Sequence, residues 1–173
     1  TIRHSQTDHQ RHLVEGLKPR LRSLGVLGDK HVPAAYLRGS RDQRLSLLQG
    51  FMDTDGHAAL DGKSEFDNTN QRLAEAVLDL ALSLGLKATM REGVAKLNGR
   101  AIGPRWRVAF TTDLPVFRLS RKLARLKPGR RTTRFRYLVA CETVDSVPTK
   151  CISVDSPTRQ FLAGRSCIPT HNT

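Results

Sequence analysis

At 173 residues the chain is long enough for one domain or two small ones, with a buried core. A net charge of +13 and a pI near 10.6 favour a polyanionic partner, nucleic acid before an anionic membrane surface, or else a basic but passive surface. No apolar run reaches the roughly 18 residues of a membrane span and no signal-peptide pattern opens the chain, while three cysteines without a CxxC pair argue against a disulfide scaffold or zinc finger and for a reducing, cytoplasmic compartment.

Thr1-Ile2-Arg3-His4 has no initiator Met and reads as a chain entered midway. Residues 9–25 predict a helix, with Leu13, Leu17, Leu21 and Leu24 at three- and four-residue steps and Gly25 as its stop. Residues 28–33 predict a turn leading into an extended start. A second helix runs from about Asp42 into Leu47-Leu48-Gln49-Gly50-Phe51-Met52-Asp53-Thr54-Asp55-Gly56. There Gly50 lets another backbone come close, and Asp55-Gly56 reads as a stop with Gly56 at positive φ. Aspartates at a helix C-terminus face the negative end of the macrodipole. They are either an ordinary Asx turn or the ligands of a bound cation.

Residues 57–60 and 64–68, joined by Asp61-Gly62, predict a hairpin. Residues 70–84 predict the clearest helix, with Leu73, Val77, Leu80, Ala81 and Leu84 on one face, N-cap side chains at Asn68, Thr69 or Asn70, and Gly85 as the stop. Residues 87–92 and 106–111 predict two more strands around a Gly-rich connection from Gly93 to Gly103. Pro115 opens a further helix to Leu126, with Leu119, Leu123 and Leu126 on one face. From Arg118 to Arg136 there are nine basic residues and no acidic one, and a domain boundary is expected near residues 127–134. Short β-like runs follow at 135–141, 151–154 and 160–163. No internal repeat is present.

Leu48 through Gly56, written LQGFMDTDG, resembles the LAGLIDADG motif of homing endonucleases. The order helix, two strands, helix, two strands, helix over residues 45–126 is similar to one half of such an enzyme. The resemblance implies an α+β fold whose halves pair through their motif helices, with a basic β-saddle on double-stranded DNA. It implies Asp55 as the ligand of Mg²⁺ and Asp53 as a capping residue. Mg²⁺ prefers a few carboxylates plus waters, and phosphodiester hydrolysis needs such an ion to activate water. Lys30, in Lys30-His31-Val32-Pro33, resembles a lysine that precedes the second motif in two-motif enzymes; it would act near the scissile phosphate or be a solvated turn lysine. Lys122 is a candidate for the same role, or a surface lysine facing DNA. Lys63, Lys87, Arg91, Lys96, Arg100, Arg105 and Arg107 are the candidate DNA contacts. The chain holds one copy of the motif, which resembles the second of two, so a single half would need a second.

The last residues, Ser166-Cys167-Ile168-Pro169-Thr170-His171-Asn172-Thr173, resemble the C-terminal splice junction of an intein, and residues 150–164 the block before it. The stretch from Tyr36 to Gly56 is most similar to inteins inserted in bacterial replicative helicases. Asn172 can attack its own carbonyl and release Thr173, His171 can move the proton, and the Thr173 hydroxyl can accept an acyl group. An internal Cys151 together with Thr173 resembles the class in which the internal cysteine attacks the upstream junction; otherwise Cys151 is a small buried strand residue. Cys141 and Cys167 read as core or incidental residues, or as redox partners of Cys151. Two departures stand out. The N-terminal block with its Trp is missing, and Arg159 and Gln160 stand where a His often precedes the block's Phe. The implied organisation is the end of a first endonuclease half in 1–40, the second half in 41–134, and the C-terminal strands of a Hint splicing domain in 135–173, with Thr173 the first host residue. Implied partners are DNA at the insertion site, the host flanks and an N-terminal intein portion in the same or a separate chain. The alternatives are a splicing intein whose decayed nuclease only binds DNA, and an RNA-splicing maturase, against which the His-Asn-Thr end speaks.

Overall fold

The computed structural model describes residues 2–4, 12–127 and 137–171. Two short strands, β1 (Ile2–His4) and β2 (His12–Val14), pair antiparallel. The helix expected over 9–25 is thus reduced to α1 (Leu17–Ser23), because residues 12–14 find a strand partner instead. A single turn, α2 (Ala34–Leu37), leads into α3 (Arg41–Thr54). Ser40 starts α3 through a capping box: its hydroxyl accepts from the Gln43 N–H at 3.3 Å, and its own N–H donates to Gln43 Oε1 at 2.8 Å. Leu48 and Met52, four residues apart, are fully buried and fix the inner face of α3.

Next come β3 (Gly56–Ala58), β4 (Ser64–Asn68), α4 (Gln71–Ser83), β5 (Thr89–Leu97), β6 (Arg100–Phe110) and α5 (Ser120–Leu123). The order α3-β3-β4-α4-β5-β6-α5 is the α+β arrangement the sequence predicts. The four strands form one antiparallel sheet in the order β3-β4-β6-β5. Strand alternation sends Ala58, Ser64, Phe66, Val108 and Phe110 to one face. There they meet Leu48 and Met52 of α3 and Ala74, Val77, Leu80 and Ala81 of α4, with Val116 and Phe117 closing the core. Each Leu or Val buried this completely contributes about 1.5–3 kcal/mol. α4 begins at Asn70, whose side chain accepts from the Leu73 N–H. Its last turn is held by Arg44, which donates to the Ser83 carbonyl at 2.9 Å.

Three expectations are corrected. Gly56 is not a positive-φ stop; it opens β3, and a Cβ there would lie 2.5 Å from the Met52 carbonyl oxygen, so close approach is what requires glycine. The connection expected at 93–103 is strand nearly throughout, because Asn98 and Gly99 (φ 49° and 80°) make a two-residue turn that joins β5 to β6. The helix expected from Pro115 shrinks to the four residues of α5, because side chains of α3 hold the backbone of 115–119 in a non-helical path.

Past the core, β7 (Gln160–Ala163) pairs with β8 (Ile168–His171) in a two-stranded sheet, whose turn residues Arg165 and Ser166 line a cleft with Glu75 and Asp79 of α4. Strand β7 falls where expected. Residues 137–141 and 151–154 form no strand and belong to none of the sheets among the described residues. The expected domain boundary lies in residues outside the described ones.

Candidate metal and nucleic-acid site

The C-terminus of α3 is built from four side chains with different tasks. Asp53 accepts the N–H of Arg118 at 3.0 Å and of Leu119 at 3.2 Å, which fixes the segment leading into α5. Gln49, one turn earlier, donates to the Pro115 carbonyl at 2.6 Å and accepts from Arg118 Nε at 2.8 Å. Asp55 is the C-cap residue itself, exposed, and its N–H donates to the Phe51 carbonyl.

Lys122 is the fourth. Its ammonium donates to the carbonyls of Met52 (2.9 Å), Asp53 (2.8 Å) and Gly56 (2.6 Å), and it also lies 5.7 Å from the centre of the Phe117 ring. An ammonium has three protons, and all three are taken. The residue is 8% exposed, so the reading as a DNA-facing surface lysine is corrected. It is a cation placed on the negative end of α3, where the macrodipole and two aspartates favour one. Burial lowers its pKa, followed by the nearby Arg121. The signal was present in the sequence: Lys122 sits on the apolar stripe, three residues from Leu119 and four from Leu126.

Asp55 opens onto a cleft of about 370 Å³ shared with Asp67, Asn68, Thr69 and Arg105. Among the described residues no three His, Cys, Asp or Glu side chains cluster to hold a metal ion. Asp55, an exposed carboxylate, nonetheless fits Mg²⁺, which keeps several waters and takes one or two protein carboxylates, whereas Asp67 in the same cleft is held by Arg107. Lys30 is exposed, and its carbonyl accepts from Asn70 Nδ2 at 2.9 Å, one residue beyond the cleft-lining Thr69. The neighbouring Asp29 pairs with Arg72 at 2.9 Å. These contacts anchor the Lys30 segment to the start of α4, at the corner of the cleft.

The sheet face away from the helices carries His57, Lys63, Glu65, Asp67, Thr89, Arg91, Arg105 and Arg107, by register. The seven basic candidates do not behave alike. Lys63, Arg105 and Arg107 are tied to acids on the same face: Lys63 to Glu65 at 2.7 Å, Arg107 to Glu65 at 3.4 Å and to Asp67 at 2.9 Å, and Arg105 to Asp67 at 3.5 Å. The Arg107 pKa is raised, chiefly by the bond to Asp67. Arg91 is exposed on this face. Arg100 reaches it through a bulge: Ala95 pairs with Gly103 but Lys96 with Ala101, so β6 carries one extra residue and its alternation reverses. Arg100 then lies opposite Leu97, on the Arg91 side. Two candidates are corrected as members of this face. Lys96 shares the opposite side with Met90 and Val94, since β5 itself keeps its alternation. Lys87 precedes β5 and lines a cleft beside Glu75 and Asp79 of α4, on the helix side. Glu65 and Asp67 are the members that the sequence reading missed; alternation with Phe66 could have placed them among the arginines.

Of the splicing candidates, His171 ends β8 opposite Gln160 and is exposed. Asn172 and Thr173 lie outside the described residues. Cys151 is exposed and in no strand, so it is not a buried strand residue, and Cys141 is exposed rather than part of a core. All three cysteines are free thiols. Among the described residues no helix is long and apolar enough to cross a membrane.

Residues 42–114, from the first turn of α3 to the loop after β6, match the LAGLIDADG-like domain family. The motif helix, the carboxylate at its end and the arginine-bearing strand face all lie at or within the matched segment. The chain is also similar to a replicative DNA helicase DnaB of Mycobacterium intracellulare, with 37% identity over 161 residues. That alignment takes in 91% of this chain but 28% of the helicase, so the chain spans just over a quarter of that relative's length.

Proposed function

We propose that the chain is the C-terminal portion of an intein in a replicative helicase, carrying half of a LAGLIDADG homing endonuclease ahead of the last part of a splicing domain. The observation that carries the nuclease reading is the placement of Asp55. It stands exposed at the end of the motif helix, on a cleft whose other wall, Asp67 and Arg105, belongs to the arginine-bearing strand face. Mg²⁺ would be held by Asp55 together with a carboxylate of a second half, and when bound it polarises phosphate and water. Lys122 keeps the last turn of α3 in place, Asp53 fixes the segment that brings Lys122 there, and the strand face orients the duplex. Gly50 is exposed with open space beside it, which suits the approach of a second motif helix.

The splicing reading rests on the chemistry of the C-terminal residues. Asn172 cyclises onto its own carbonyl, His171 carries the proton to the leaving amine, and Thr173 and Cys151 serve as acyl acceptors. The similarity of nine-tenths of the chain to a stretch of a helicase supports it. A decayed nuclease that binds DNA without cutting it is the second reading. It is favoured by the pairing of three of the seven basic candidates with acids.

Two experiments on the full precursor test the two halves. A plasmid bearing the empty insertion site should be linearised with Mg²⁺ and stay intact with Asp55→Asn; an intact plasmid with the wild type leaves only the decayed reading. Asn172→Ala should abolish cleavage before Thr173, and Cys151→Ala the first acyl transfer. Continued release of Thr173 from the first variant would sink the splicing role.

A further inference from the structure

The strand face holds a feature that a duplex-binding surface on a +13 chain does not need for affinity: two carboxylates at its centre. Asp67 accepts from Arg107 in a two-pronged bond, with Nε at 2.9 and 3.2 Å and Nη2 at 3.0 Å. The two residues are direct cross-strand partners of β4 and β6. Glu65 lies 3.4 Å from Arg107 Nη1 and 2.7 Å from Lys63, and Asp67 3.5 Å from Arg105 Nε. Three cations thus share two anions, and the net contribution of this patch is one positive charge.

The geometry of Arg107 says what remains available. The guanidinium offers two bidentate edges. The side edge, Nε and Nη2, is filled by Asp67. The end edge, with one N–H on each of Nη1 and Nη2, has Glu65 as an ion-pair neighbour 3.4 Å from Nη1 and no hydrogen bond from Nη1 among the described residues, and the side chain is 39% exposed. Two parallel N–H groups held in a fixed direction match the O6 and N7 acceptors of guanine in the major groove. A phosphate, by contrast, meets Glu65 and Asp67 as well as the arginine, and is repelled by both.

Resting on the reading of this face as a duplex-binding surface, we propose that Arg107, clamped by Asp67, reads a guanine, and that Glu65 and Asp67 raise specificity by weakening non-specific contact with the DNA backbone. The acids exchange affinity for discrimination. Removing one of them frees a cation for phosphate without adding any contact to a base.

The test uses the full chain, a mixed-sequence duplex over a salt series, and selection from a pool of duplexes with a randomised centre. Thermal melting confirms that each variant folds. Asp67→Asn should bind the mixed duplex more tightly, with a slope of log K against log salt steeper by about 0.9 for the freed cation. The sequences it selects should lose one guanine preference. Arg107→Lys, which keeps the charge but not the fork, should lose the same guanine. Glu65→Gln carries the slope prediction independently, through Lys63, should Asp67→Asn fail to fold. A slope unchanged in the folded acid variants, or a guanine retained by Arg107→Lys, overturns the inference while leaving duplex binding intact. A wild-type chain that binds no duplex overturns the underlying reading and this inference with it.

Discussion

Replacing Lys122 with Met removes the three donors that close α3 while keeping an apolar stem of similar length in the same space. The loss comprises three short bonds from a charged donor to the carbonyls of Met52, Asp53 and Gly56. Bonds to charged groups are worth about 1.5–3 kcal/mol each, and carbonyls left buried without a donor cost about 1–3 kcal/mol. Removing a buried ammonium returns part of this, since burial already lowers the pKa of Lys122. The net expectation is a loss of about 2–4 kcal/mol. In a chain of this size that is a fall in Tm of roughly 5–15 °C. Circular dichroism on heating and in urea measures it, and Lys122→Arg, which keeps a cation near the carbonyls, should recover part of it. A Met variant within about 0.5 kcal/mol of the wild type would refute the reasoning, since an uncapped helix end carrying two aspartates could not be that inexpensive.

Two further outcomes follow from local geometry. Gly56→Ala puts a methyl 2.5 Å from the Met52 carbonyl oxygen and 2.6 Å from the Met52 Cα, both backbone atoms, so β3 or the end of α3 must move; the expected loss is about 2–3 kcal/mol in a urea titration. Asp79 has its pKa raised, first by burial and then by Glu75. An acid with a raised folded pKa contributes stability that is lost as pH climbs from the unfolded value through the folded one, so Asp79→Asn should raise Tm at neutral pH, and the gap should close below about pH 4, where the wild-type carboxyl is protonated in both states.

The core and the order of elements were legible because they rest on periodicity. The α4 face at Leu73, Val77, Leu80 and Ala81 and the inner side of β4 at Phe66 are where repeats of 3.6 and 2 put them. What was not legible came from contacts across the chain. The shortness of α5 depends on Asp53 and Gln49, more than sixty positions away, taking the groups a longer helix would have used. Glycine at position 56 was read as a conformational device and is a steric one. In the site, Asp55 and the arginines of β5 and β6 could be picked from the motif and the composition. Their unequal character could not, because it is set by register: Glu65 and Asp67 pair with Lys63, Arg105 and Arg107, while one bulge carries Arg100 onto the face that Lys96 misses.

The proposed function requires a duplex to lie on one surface, the outer face of the β3-β4-β6-β5 sheet. Charge reversal separates it from the helix side directly. Arg91→Glu combined with Arg100→Glu should weaken binding of a mixed-sequence duplex by about tenfold or more at moderate salt, since each reversal both removes and opposes a phosphate contact. Lys87→Glu, beside α4, should leave binding nearly unchanged. Loss of binding with Lys87→Glu and retention with the double variant would contradict it.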